Sequence, residues 1–102
     1  MSPVEIRTTA PDRETAQRIA RRLVEDRLAA CVQIVGPIES VYRWQGAIET
    51  SHEWLCLIKA RRDQFEAIAA AIRQSHPYEV PEILALPVVE GSPDYLRWMD
   101  ES

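Results

Sequence analysis

Glycine and proline are spaced along this chain so that two long stretches contain neither. The glycines are Gly36, Gly46 and Gly91; the prolines are Pro3, Pro11, Pro37, Pro77, Pro81, Pro87 and Pro93. Residues 12–35 and 47–76 are therefore where long regular elements belong. Val4 to Thr8 alternates apolar and polar, the pattern of a half-buried strand. Pro11-Asp12 opens a helix with Asp12 as its N-cap. Ala16, Ile19, Ala20, Leu23, Val24 and Leu28 follow at helical spacing as one apolar stripe. Cys31 to Val35 reads as a strand that Gly36-Pro37 breaks or bends, and Ile38, Ser40, Tyr42 and Trp44 share one face of a further extended segment. Gln45-Gly46 is a hairpin turn, and Trp54 to Ile58 is the return strand, apolar on both faces.

Asp63 with Glu66 resembles a capping box at the start of a second helix, whose stripe is Phe65, Ile68, Ala69 and Ile72. His76-Pro77 ends that helix. Glu82 to Leu86 is a last long strand, cut at Pro87. Ser92-Pro93-Asp94 starts a short terminal helix, with Tyr95, Trp98 and Met99 expected on its inner face. The order is β-α-β-β-α-β plus a helix: an α+β, ferredoxin-like split βαβ sandwich, one sheet with helices on one face. In that arrangement the second and fourth strands lie at the edges. Pro37 and Pro87 fall in those strands, where proline is tolerated. The apolar second face of the return strand calls for a cover, and another subunit is the simplest one.

At 102 residues, one domain spanning 1–102 is expected, with one modest core. Hydrophobic residues at 46% exclude a wholly disordered chain. A net charge of -4 argues against a general nucleic-acid or anionic-membrane binder. The β-α-β-β-α-β order also serves RNA recognition motifs, but their basic and aromatic strand signature is missing here. No apolar run reaches the ~18 residues of a membrane span. The first twelve residues lack a basic region followed by an apolar stretch, so no secretory leader is expected. Cys31 and Cys56 are too few for a disulfide scaffold and read as small packing hydrophobes. The expected compartment is the cytoplasm.

There is no G-x-S-x-G, H-E-x-x-H, C-x-x-C, P-loop or G-x-G-x-x-G, and no acid-base pair is evident from spacing. The densest polar-aromatic stretch is Ser75-His76-Pro77-Tyr78-Glu79-Val80-Pro81-Glu82. Imidazole and carboxylate donors there could take a divalent metal such as copper or zinc. The plainer reading is a polar connection in which His76 caps the helix end. Tyr42, Trp44, Tyr78, Tyr95 and Trp98 are many aromatics for a small sheet. They suit a core and subunit interface, or the wall of a small-ligand pocket. Lys59 is the only lysine, against eleven arginines, with no partner that argues for a Schiff base.

Arg27-Leu28-Ala29-Ala30-Cys31-Val32, Ser40-Val41-Tyr42-Arg43-Trp44-Gln45-Gly46, Ile58-Lys59, His76-Pro77-Tyr78-Glu79-Val80-Pro81-Glu82 and Asp94-Tyr95-Leu96-Arg97-Trp98 occur in that order. Together they closely resemble the CutA divalent-cation-tolerance family over residues 4–99. The resemblance implies a ferredoxin-like fold assembled as a tight homotrimer, similar in architecture to PII-type signalling proteins. It implies a cytoplasmic protein tied to tolerance of copper and other divalent ions, with no established enzymatic activity. In members that look metal-binding, the ligands are a first-strand cysteine, adjacent histidines before the Pro-Tyr, and a glutamate. Here Thr8 and Ser75 stand at two of those positions, so only His76 and Glu82 carry over as metal ligands. Without thiolate the site loses its soft ligand, and a harder or borderline ion fits as well as copper. The alternative function is a signalling trimer binding a small ligand or protein partner in an inter-subunit cleft lined by Tyr42, Trp44, Lys59, Tyr78, Glu79 and Trp98.

Overall fold

The computed structural model describes residues 2–102; Met1 of the expected 1–102 domain lies outside the described residues. These residues form strand β1 (Pro3–Ala10), helix α1 (Arg13–Glu25), strands β2 (Cys31–Trp44) and β3 (Ala47–Arg61), a 3-10 turn (Arg62–Gln64), helix α2 (Phe65–Ser75), strand β4 (Leu84–Pro87) and helix α3 (Pro93–Glu101). The sheet order is β2-β3-β1-β4 and every pairing is antiparallel. This is the expected α+β ferredoxin-like arrangement. Pro37 and Pro87 lie in the two edge strands, where no inner ladder bond is lost.

The alternation in β1 sends Val4, Ile6, Thr8 and Ala10 inward, all buried, and leaves Glu5 and Arg7 on the opposite face. The Asp12 carboxylate accepts a 2.7 Å hydrogen bond from the Thr15 N–H and caps α1. Ile19 and Leu23 of α1, Ile68 and Ile72 of α2, and Ile6, Cys56 and Ile58 of the sheet pack into one core. Full burial of each large aliphatic contributes about 1.5–3 kcal/mol. Arg22 of α1 ties the two helices together, donating to the Ala71 carbonyl, the Ser75 hydroxyl and the Gln74 side-chain oxygen.

Strands β2 and β3 are far longer than the apolar runs suggested. Gly36-Pro37 bends β2 without ending it: the ladder with β3 resumes past a register shift between Val35 and Ile38. Val35 opposes Leu55 and Ile38 opposes Glu53, so β2 carries one residue more than its partner there. Because side chains alternate, that residue switches β2 from odd to even positions on the sheet's open face. Ile38, Ser40, Tyr42 and Trp44 thereby join Glu53 and Leu55. The outgoing half, Ile38 to Trp44, is extended as expected; the polar composition of residues 47–53 hid the strand character of the return half, since the arm is a two-stranded ribbon with little core of its own. Gln45 and Gly46 close it with φ of 50° and 81°, the left-handed pair of a two-residue hairpin turn.

Three further expectations are corrected. Asp63 and Glu66 do not form a capping box: Gln64 stands at the α2 N-cap without a side-chain bond, and Asp63 pairs with Arg61 at 3.1 Å. The α3 phase turns Met99 inward, while Tyr95 and Trp98 remain exposed with ring centroids 5.4 Å apart. Cys56 is buried, but Cys31 near the start of edge strand β2 is only half-buried.

Helices α1 and α2 pack together on one face of the sheet; α3 instead touches β3 and β1, where Arg61, on the same face of β3 as Lys59, donates to the Asp100 carbonyl, and leaves the rest of that face open. Leu55 and Leu57 are half-buried there, and Val35 and Leu84 are exposed. Glu5 lies among them, bonded to Lys59 at 2.6 Å and Arg7 at 2.9 Å.

Candidate functional site

The chain between α2 and β4 crosses the end of β1 and faces the base of the β2–β3 arm. Together they enclose a cleft of about 680 Å³, lined by Thr9, Ser40, Val41, Tyr42, Trp44, Glu53, Pro77, Tyr78, Glu79, Val80 and Glu82. That volume lies within the range of small-molecule sites. The register shift is what makes the wall, because it places Ser40, Tyr42 and Trp44 on the face that carries Glu53.

His76 fixes the crossing segment. Its Nε2 meets the Thr9 carbonyl at 2.5 Å and its Nδ1 meets the Tyr78 backbone N–H at 3.1 Å. A carbonyl can only accept and a backbone amide can only donate. Nε2 therefore carries the proton and Nδ1 presents its lone pair. The imidazole stands 4.6 Å from the Tyr78 ring, centroid to centroid. Tyr78 in turn donates its hydroxyl proton to Glu53 Oε2 at 2.8 Å. Burial, and next the Glu53 hydrogen bond, raise the Tyr78 phenol well above its ordinary range, so it stays a donor. Glu53 is only 7% exposed, although it lines the cleft. Across the wall, the Tyr42 and Ser51 hydroxyls lie 3.3 Å apart.

A divalent metal does not fit the residues expected to hold it. Both His76 ring nitrogens are engaged with backbone groups. Glu82 is exposed on the cleft wall. Among the described residues no group of three or more His, Cys, Asp or Glu side chains is placed to hold a metal ion. Thr8, the first-strand position, points into the core with its hydroxyl unpartnered among the described residues, on the helix-covered face beside Cys56. A metal coordinated by several donors at about 2 Å has no such cage within one chain.

Of the six residues expected at an inter-subunit ligand cleft, Tyr42, Trp44, Tyr78 and Glu79 line this one, which lies within one chain, and Glu82 joins them. Lys59 does not: it is held against Glu5 on the open face of the sheet. Trp98 does not either, standing on α3 beside Tyr95. Glu53 is the residue that sequence reasoning missed. Its signal was a carboxylate in phase with Leu55 and Leu57, where an apolar side chain would continue the strand face.

Comparison with known proteins fits this architecture. The family described as CutA1 divalent ion tolerance protein matches residues 4–102. The chain belongs to the CutA family. The divalent-cation tolerance protein CutA of Thermus thermophilus is 47% identical over 94 residues, covering 92% of this chain and 91% of that protein. Protein CutA of Mus musculus is 45% identical over 93 residues, or 91% of this chain, but the match spans only 52% of the mouse protein. Among solved structures, the Thermus thermophilus protein superposes with a TM-score of 0.93 at 44% identity, covering 95% of this chain and 94% of that one. CutA1 from Oryza sativa superposes with a TM-score of 0.96 at 38% identity, covering 99% and 93%.

Proposed function

We propose that this CutA protein is a non-enzymatic, homotrimeric divalent-cation tolerance protein that works by binding a ligand in the Tyr78–Glu53 cleft, with His76 as a brace for that cleft. The observation that carries this reading is the doubly bonded His76 ring beside an aromatic-walled cleft of about 680 Å³. Tolerance would then follow from signalling by the loaded cleft rather than from chelation at His76 and Glu82. Self-association is supported by the open part of the sheet face, where Val35 and Leu84 are exposed beside half-buried Leu55 and Leu57. A reducing compartment such as the cytoplasm is supported by two unpaired thiols.

The test has two arms. Calorimetric titration of the assembled protein with copper and zinc at neutral pH should show no one-to-one site that His76→Ala removes. A thermal-shift screen of metabolites should find a stabilising ligand whose effect Trp44→Leu removes, since a ligand of the native state raises the melting temperature by mass action. A His76-dependent stoichiometric metal site, or a screen without any Trp44-dependent ligand, would overturn the reading.

A further inference from the structure

The chemistry of the cleft wall restricts what it can bind. Within one chain its ionisable lining residues are Glu53, Glu79, Glu82, Tyr42 and Tyr78, and no arginine, lysine or histidine is among them. Arg73 lines a separate hollow of about 350 Å³ on the other side of the Tyr78–Val80 segment. Glu53 supplies a second, independent pointer to a ligand. It is more than nine-tenths buried, yet only its Oε2 is bonded; Oε1 accepts no hydrogen bond among the described residues. Oε1 is not among the fully buried atoms left without a partner, so it keeps access to solvent, and a cationic donor brought by a ligand in the cleft that Glu53 lines can pair with it in a charge-assisted bond. The walls on either side are the Tyr42, Trp44 and Tyr78 rings, whose faces attract cations.

We infer that the ligand of this cleft is a small organic ammonium ion, its N–H or N–CH₃ groups set against the Tyr42, Trp44 and Tyr78 rings and its charge against Glu53, with Glu79 and Glu82 at the rim. The inference deepens the cleft reading and rests on it. A bare divalent ion suits the wall poorly, because the described donors form no cluster of three. An extended cation needs no such convergence. It can meet separated carboxylates one at a time and gains from the aromatic faces, which a strongly hydrated metal ion would not. Anions such as nucleotides would meet three carboxylates and no positive side chain in the lining.

The experiment is titration calorimetry on the assembled full-length protein. The probes are putrescine, spermidine and choline, with citrate, ATP and zinc chloride as comparison ligands, all at matched ionic strength. At least one ammonium probe should bind saturably. Glu53→Gln, which keeps the shape and an acceptor for Tyr78, should weaken it about tenfold, the effect of one lost charge-assisted contact. Trp44→Leu should weaken it as well, whereas Glu90→Gln, outside the cleft, should leave it unchanged. Glu79→Gln with Glu82→Gln, both exposed, should also weaken binding, which protects the test if Glu53→Gln alters folding. Binding of citrate, ATP or zinc that depends on Trp44 or Glu53, with no ammonium binding, would overturn this inference and leave the cleft reading standing. Ammonium binding indifferent to both Glu53 and Trp44 would also overturn it. No binding by any probe would overturn the inference and, with an empty metabolite screen, the cleft reading too.

Discussion

Replacing His76 by alanine separates a brace from a metal ligand. The ring holds the Thr9 carbonyl and the Tyr78 amide, groups belonging to β1 and to the crossing segment. Thr9 is 7% exposed, so water cannot readily replace the lost donor. An orphaned buried acceptor costs about 1–3 kcal/mol, and the more exposed Tyr78 bond adds about 0.5–1 kcal/mol. The expected loss is therefore about 1.5–4 kcal/mol. For a domain of this size it lowers the melting temperature by roughly 6–20 °C. Calorimetric melting at fixed protein concentration, first in EDTA and then with added zinc, reads the effect. The deficit should be present in chelator and unchanged by zinc. If the variant melts with the parent in EDTA but loses a zinc-dependent stabilisation, the brace argument is wrong and His76 is a ligand.

Three further outcomes are expected. The Lys59 hydrogen bond, helped by Arg7, lowers the Glu5 pKa against desolvation, which raises it. Its contribution is complete above the ordinary carboxylate range and is lost as pH falls through the lowered folded value, so Glu5→Gln should flatten the acid limb of a stability–pH curve. If the acid limb is unchanged in the variant, the Glu5–Lys59 pair contributes nothing. Burial pushes the Cys56 thiol up to about 11, so alkylation followed by mass spectrometry should label it only on unfolding; rapid labelling in the native protein would refute its placement. In Gly36→Ala the added Cβ would lie 2.4 Å from Trp54 Cδ1, and the resulting overpacking should cost about 1–3 kcal/mol in denaturant melts; an unchanged midpoint would show that the Trp54 ring yields freely.

Much of the fold was legible because the local signals agree. Asp12 and Ser92 are N-caps as their positions imply, and the Ile68 and Ile72 stripe is buried as its spacing requires. Prolines marked the edge strands because a missing N–H is harmless only there. The outer arm was less legible. Glu49, Thr50, Ser51 and His52 form strand by pairing across a ribbon, not by burying an apolar face, and composition does not record pairing. The site was legible as a sequence cluster around His76 and Tyr78, but the role of His76 was not. Whether an imidazole is a ligand or a brace depends on Thr9, 67 residues away, whose carbonyl carries no residue-type signal. Glu53 was hidden for a related reason: its hydrogen-bond partner is Tyr78, 25 residues further along the chain.

The extra residue between Val35 and Ile38 works like a frameshift in the strand. Upstream of it the odd positions of β2 share a face with Leu55; downstream the even positions do. Pairing the same sequence without that extra residue would bring residue 37 opposite Glu53, keep the arm in the upstream frame and turn Tyr42 and Trp44 to the reverse side. Length changes at the Gln45–Gly46 tip are different in kind: equal additions to both strands extend the arm and leave everything below in frame. The tip can therefore change in length without re-aiming any side chain, while the extra residue at Gly36 and Pro37 decides which side chains of the arm face the cleft.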